Sequence, residues 1–363
     1  MSWKNVALGD VCKVIAGQSP ESINYNKEGR GLAFYQGKKD FGDVYVNPPT
    51  VWTTEITKEA IKNDILMSVR APVGPVNIAT EHICIGRGLA AIRATERINQ
   101  AYLFYYLLKI EKELVGNAGA VFNSINKTQI ENLLVPLPSI PTQQKIVAKL
   151  DAIFAEIDTA TAAAEANARN AELLFQSYLS NIQAPLSTLD KHVTIKTGKL
   201  DSNASVGNGK YPFFTCSKEI FSINDYAFDC EAVLLAGNNA SGDFNVKHYE
   251  GKFNAYQRTY VITINDLDKI TYRYLYFQLV NALKQFKSIS VGANTKFLKI
   301  GMIKELKFPL PNMNEQIKIL NKLSVVEFNK ELLKKNYIKK KYYTNLLKQS
   351  ILQKAFSGEL VKD

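Results

Sequence analysis

The sequence predicts an α+β protein built twice over: two similar mixed α/β domains joined by a long antiparallel two-helix coiled coil, with pseudo-twofold symmetry. Three observations predict this fold class. A proline-rich phrase occurs twice, the stretch before each occurrence reads as short strands and turns, and the stretch after each carries a heptad pattern. The first phrase is Val135-Pro136-Leu137-Pro138, followed by Gln143 and Lys145-Ile146-Val147-Ala148-Lys149-Leu150. It returns as Phe308-Pro309-Leu310-Pro311, followed by Gln316 and Lys318-Ile319-Leu320-Asn321-Lys322-Leu323. At the same offset Gly119-Ala120, Ile130 and Leu133 answer Gly292-Ala293, Ile303 and Leu306. A slightly larger offset relates Leu8 and Gly17 to Leu189 and Gly198, so the globular parts differ by an insertion. One long unit said twice is a tandem duplication, unlike the short period of a solenoid.

The elements follow in order. Residues 1–140 form the first domain. Its runs Asp43-Val44-Tyr45-Val46 and Asp64-Ile65-Leu66-Met67-Ser68-Val69 are β-branched and aromatic, separated by Gly, Asn and Pro clusters, which is strand and turn chemistry. A helix is expected at about residues 102–109. Residues 141–184 form the first long helix, with Pro141 in the first turn, where a missing N–H costs nothing. Residues 185–312 repeat the domain, with a strand at Tyr260-Val261-Ile262-Thr263-Ile264 and a helix at about residues 272–283. Residues 313–363 form the second long helix.

Steps of four and three from Ile146 give Leu150, Ile153, Ile157, Ala160, Ala164, Asn167, Ala171, Leu174 and Tyr178. The same steps from Ile319 give Leu323, Val326, Lys330, Leu333, Tyr337, Lys340, Thr344, Leu347 and Ile351, a weaker seam in the same register. Such seams suit a coiled coil. The chain order favours an antiparallel pair, with the small Ala160 and Ala164 opposite the large Leu333 and Tyr337. The alternative is two separate amphipathic helices, each covering its own domain. A helix over residues 142–181 is roughly 60 Å long, against about 34 Å for one turn of B-DNA.

Composition sets the bounds. The chain has 363 residues, 46% of them hydrophobic, which suffices for two ordinary cores. Neither a long apolar run nor a signal-type start is present, so a soluble, cytoplasmic protein without membrane contact is expected. Cys12, Cys84, Cys216 and Cys230 are scattered, and His82, His192 and His248 make no metal-ligand spacing, so no disulfide frame or metal site is indicated. A net charge of +11 suits a polyanionic partner. The first helical tail is mildly acidic, and the second is strongly basic around Lys330, Lys334, Lys335, Lys339, Lys340 and Lys341. That lysine run fits a solvated helix face, or pairing between the two tails.

Catalytic motifs are missing. Gly207-Asn208-Gly209-Lys210 is a loop and not a phosphate cradle. Asn47-Pro48-Pro49-Thr50 lacks the ring with which an amino-methyltransferase stacks its flipped base, so a strand-ending turn is the better reading. The globular parts do offer donors in Gly-flanked loops. In the first domain these are Lys38 and Lys39, Arg70, and Arg87 between Gly86 and Gly88. In the second they are Lys210, Asn238, Asn239, Lys247, Arg258 and Lys296. Arg and Lys can pair with guanine O6/N7, Asn and Gln with adenine N6/N7, and all of them with phosphate. A loop lysine is more often a solvated charge than a base reader, and bracing a turn is the alternative role for Arg87.

The doubled phrase, the helix behind each copy and the ending Gln353-Lys354-Ala355-Phe356-Ser357-Gly358-Glu359-Leu360 resemble the specificity subunit of type I restriction-modification systems. Ser68-Val69-Arg70-Ala71-Pro72-Val73-Gly74 and Gly86-Arg87-Gly88-Leu89 are similar to segments of that family's target recognition domains. Asn312-Met313-Asn314 departs from the family's apolar and proline residues at the second helix start. The resemblance implies a non-catalytic reader of double-stranded DNA, each domain binding one half of a split target and the helices fixing the spacer. It further implies two methyltransferase (modification) subunits as partners and, for cleavage, restriction subunits. S-adenosylmethionine, ATP and Mg would belong to those partners, and no cofactor to this chain. Two rivals remain, a coiled-coil scaffold that never reads DNA and a self-sufficient methyltransferase.

Overall fold

The computed structural model describes residues 3–116 and 124–361. The Gly119-Ala120 member of the internal repeat lies outside the described residues. Seven α-helices occur among them: α1 Gln100–Gly116, α2 Lys127–Glu131, α3 Ile140–Ser180, α4 Tyr272–Asn281, α5 Leu283–Ile289, α6 Ile300–Lys304 and α7 Met313–Phe356. The chain divides into two compact units, Met1–Ala162 with Lys339–Asp363, and Ala163–Ile338. Each unit therefore holds one globular domain, part of α3 and part of α7.

In the first unit a four-stranded antiparallel sheet runs in the order Cys12–Ala16, Leu89–Ala94, Ile65–Ser68, Val76–Ile78. Side chains alternate across it, as the two-residue strand period requires. Ile65, Met67 and Ile92 face a core with Tyr102, Leu103 and Leu107 of α1, while Leu66, Leu89 and Ala91 face a second core. That second core is shared with a five-stranded sheet, in which Leu32–Tyr35 and Ile83–Ile85 run parallel. Full burial of each such aliphatic side chain contributes about 1.5–3 kcal/mol.

The second unit repeats this plan with one change. Six of its strands form a single sheet in the order Val193–Thr197, Thr259–Ile264, Phe228–Ala236, Val246–Ala255, Tyr211–Phe214, Phe221–Ile223. Val233, Leu235 and Ile262 face α4, and Leu234 and Val261 face Phe214 and Phe253. The single strand Val246–Ala255 does the work of both Val76–Ile78 and Ile83–Ile85 in the first unit.

The repeated phrase has a physical reason. Each copy begins as a short strand, Leu134–Pro136 paired with Asn5–Ala7, and Lys307–Pro309 paired with Leu186–Thr188. Tyr102 and Tyr274 each donate a hydroxyl hydrogen bond of 2.8 Å to the carbonyl of Pro136 and Pro309 respectively. Gln143 is fully buried; it accepts from Asn99 N at 2.7 Å and donates to Pro138 O at 2.9 Å. Gln316 does the same, accepting from Thr271 N at 3.2 Å and donating to Pro311 O at 3.0 Å. One side chain thus satisfies the entrance of the domain helix and the turn that starts the long helix, groups that burial would otherwise leave unpaired. Gly17 and Gly198 recur for a steric reason: a Cβ would lie 2.3 Å from Gly86 O and 1.7 Å from Ala255 O.

Within each unit α3 and α7 run antiparallel. In the first, Lys348 pairs with Asp158 and Lys149 Nζ donates to Leu360 O. In the second, Lys330 pairs with Glu172 and lies over the Phe175 ring. The early seam positions are inside: Ile146, Leu150, Ile157 and Leu323 are buried, and Ile153, Ala160, Ala164, Val326, Leu333, Tyr337 and Ile351 are half-buried.

Several expectations need correction. Leu347 is 48% exposed and Leu174 is 52% exposed; Lys340 and Tyr178 are also exposed. A strict 3.5-residue step drifts by about 20° per heptad from a 3.6-residue helix, so the late positions roll away. Phe175 and Leu179 on α3, and Leu352, Ala355 and Phe356 on α7, are buried in their place, against Phe277 and against Tyr102 and Tyr106. Leu333 lines a groove with Asn167, Ala171 and Leu174, a register further along α3 than Ala160 and Ala164. The run Asp43-Val44-Tyr45-Val46 is a bend held by isolated bridges from Phe41 to Val46 and from Tyr45 to Ile78, with Asn47 Nδ2 donating to Phe41 O. The domain helix near residue 102 extends over Gln100–Gly116, and the one near residue 272 divides at Ala282.

Candidate nucleic-acid interface

The turns that carry the candidate side chains are hung on the same backbone hydrogen bonds in both units. Val69 N donates to Gly88 O at 3.0 Å, and Gly237 N to Arg258 O at 2.9 Å. Ile125 N donates to Val69 O at 3.0 Å, and Leu298 N to Gly237 O at 2.9 Å. Gly86 N donates to Tyr35 O at 2.8 Å, and Tyr256 N to Phe214 O at 2.9 Å. By this register Arg70 occupies the seat of Asn238, Arg87 that of Gln257, Gly88 that of Arg258, and Lys39 that of Lys218.

In the first unit the structure brings Arg70 and Arg87 together. With Ser19, Tyr25, Gln36 and Gly88 they line an open cavity of about 420 Å³. Both arginines are exposed, and neither guanidinium has a hydrogen-bond or ion-pair partner among the described residues. Arg87 is anchored only through its backbone, whose N–H donates to Ser19 Oγ at 3.2 Å. Lys38 and Lys39 stand exposed on the adjoining turn, Lys38–Asp40. Asp40 braces that turn by accepting from Gln36 N at 3.0 Å. Ser19 and Tyr25 had no sequence signal beyond residue type.

In the second unit four candidates gather at one strand end. Asn238–Asn239 pairs with Lys296–Phe297, and the Arg258 guanidinium lies 5.1 Å over the Phe297 ring. The two asparagines differ in role. Asn239 Oδ1 accepts from Ser241 N, Ser241 Oγ and Asp243 N, so it shapes the turn, whereas the Asn238 carboxamide has no partner among the described residues. Lys247 is half-buried and donates to Ser217 O and Asn245 Oδ1, and burial holds its ammonium pKa below the ordinary value. It secures the loops rather than pointing outward. Lys210 stands apart from this group, 5.4 Å over the Tyr211 ring, where Tyr226 and Lys252 join it. Lys252 and Tyr226 carried no sequence signal beyond residue type, although Gly251 before Lys252 sits within the strand Val246–Ala255 at φ 121°, a conformation that favours glycine.

What this arrangement can do is bind polar, anionic surfaces. It presents cationic and amide groups free to make two hydrogen bonds, on strand ends, with different residues in three of the four matching seats. Among the described residues no cluster of three or more His, Cys, Asp or Glu could hold a metal, and no helix is long and apolar enough to cross a membrane.

Two α+β domains of one plan, each followed by a long helix, define a duplicated module. The family model of the type I restriction modification DNA specificity domain matches residues 1–167 and again 187–352, and the chain belongs to that family. It is 47% identical over 156 residues to the putative type I restriction enzyme MjaX specificity subunit of Methanocaldococcus jannaschii, covering 42% of this chain and 36% of that protein. It is 38% identical over 175 residues to the type I restriction enzyme EcoDI specificity subunit of Escherichia coli, covering 48% and 38%. The matches thus span little more than a third of the length of these two relatives. A solved chain from a study of complex assembly and conformational transition of the type I R-M system shares the fold, with a TM-score of 0.76 at 18% identity, over 99% of this chain and 98% of that one.

Proposed function

We propose that the chain is the DNA specificity subunit of a type I restriction-modification complex. Each unit reads one half of a bipartite duplex target, and α3 with α7 keeps the unread spacer constant. It is not itself an enzyme; two modification subunits methylate an adenine in each half-site, and restriction subunits cleave. S-adenosylmethionine, ATP and Mg serve those partners.

One observation carries the reading. Two repeats present different, unpartnered hydrogen-bonding side chains, Arg70 and Asn238, from the same backbone seat, as two readers of different sequence on one scaffold require. The rival scaffold needs no free guanidinium on those turns.

Salt dependence of duplex binding separates the two. Neutralising phosphates releases counterions, so affinity for duplex DNA should fall about a thousandfold or more between roughly 50 and 200 mM salt. Absence of binding at low salt, or binding indifferent to salt, would refute the reading.

A further inference from the structure

We infer that the seat after the central strand sets base identity in each half-site, Arg70 selecting guanine and Asn238 selecting adenine. This rests on the DNA-reading function proposed above. Of the seats matched by the backbone frame, it alone carries on both sides a free group able to make two hydrogen bonds to one base edge. Arg87 is matched by Gln257, whose amide donates to Asp201. Lys39 is matched by Lys218, which is paired with Asp243 at 2.8 Å. Gln36 is matched by Thr215, which is buried and accepts from Ser217 N. Gly88 has no side chain to compare with Arg258.

The seat itself is rigid. Arg70 bridges to Ser124, and Asn238 pairs with Phe297 at the matching place. In both units the preceding residue is held on each side, by its N–H and its carbonyl. A guanidinium fixed there presents two donors to guanine O6 and N7. A carboxamide presents one donor and one acceptor to adenine N7 and N6.

The test uses the full chain co-expressed with its modification subunits, a pool of randomised duplexes, and sequencing of the retained DNA. Arg70→Asn should exchange guanine for adenine at one position of one half-site, shifting that preference by about 5- to 150-fold, with the other half-site unchanged. Asn238→Arg should make the reverse exchange in the other half-site. Asn238→Asp keeps the shape but removes the donor, so the adenine preference should give way to cytosine; this variant decides the matter if the arginine variant does not fold. Weaker binding to all sequences alike would make these residues phosphate contacts and overturn the inference while leaving the DNA-reading function intact. A wild-type complex that enriches no bipartite sequence would instead overturn that function, and the inference with it.

Discussion

The two units solve one problem with different chemistry at the centre of their sheets. In the second, Phe228–Ala236 runs unbroken against Val246–Ala255. In the first, the matching strand is cut between Glu59–Ala60 and Ile65–Ser68, with Asn63 in the left-handed region at φ 73°. Asp64 seals the cut. Its carboxylate is buried, accepts from Ile61 N at 2.9 Å, and holds Arg93 through bonds of 2.8 and 2.7 Å. By register the second unit has Ala232 and Thr263 in those places. A continuous strand needs no brace, whereas a broken one must satisfy the exposed turn and then neutralise the charge that does so. The invariants of the fold are the backbone frame and the buried glutamines; the sheet between them is free to vary.

The largest expected effect probes that difference. Arg93→Met leaves Asp64 buried and unpaired, and should cost about 3 kcal/mol, because removing one partner of a buried pair strands the other. Trp3 and Trp52 are the chain's two tryptophans and both lie in the first unit, so urea unfolding followed by tryptophan fluorescence reports this loss directly. Thr263→Val, at the matching place in the second unit, should change stability by no more than about 0.5 kcal/mol, read from amide-exchange protection of Phe228–Ala236 because that unit has no tryptophan. Equal losses would mean that the two sheets are not braced differently.

A smaller effect tests what the units share. Gln143→Leu leaves Asn99 N and Pro138 O without partners and should cost about 2 kcal/mol in the same unfolding experiment. Gln316→Leu should match it, seen as faster amide exchange at Thr271 and at the start of α4, by roughly 30-fold. A silent Gln143 variant beside a damaging Gln316 variant would break the equivalence of the two phrases.

Repetition explains how much of this was legible in the sequence. Gln143 and Gln316, Gly17 and Gly198, and Tyr102 and Tyr274 recur because each does a buried, geometrically fixed job, and such jobs leave a residue-level imprint. The heptad steps placed Ile146, Leu150 and Leu323 inside, since near the start of each long helix phase error has not accumulated. They failed at Leu347 and Leu174, where helical drift and docking of the helix ends on the domains decide the buried face. The candidate contact residues were legible only as types. Arg70 and Arg87 stand apart in sequence and meet through the antiparallel pairing of Ile65–Ser68 with Leu89–Ala94, continued by the Val69 N–H bond to Gly88 O, a long-range register that local pattern does not encode. Lys247 and Asn239 look like readers in sequence, yet their polar groups are engaged by loop atoms that only the fold brings near.

Bipartite DNA reading by this chain is tested most directly by a map of methylated adenines in cells that express it with its modification subunits, compared with cells lacking the chain. The expected map shows one motif of two unlike half-sites, separated by a fixed number of unread base pairs and lost entirely without the chain. A single continuous motif, a variable gap, or methylation that persists without the chain would contradict it.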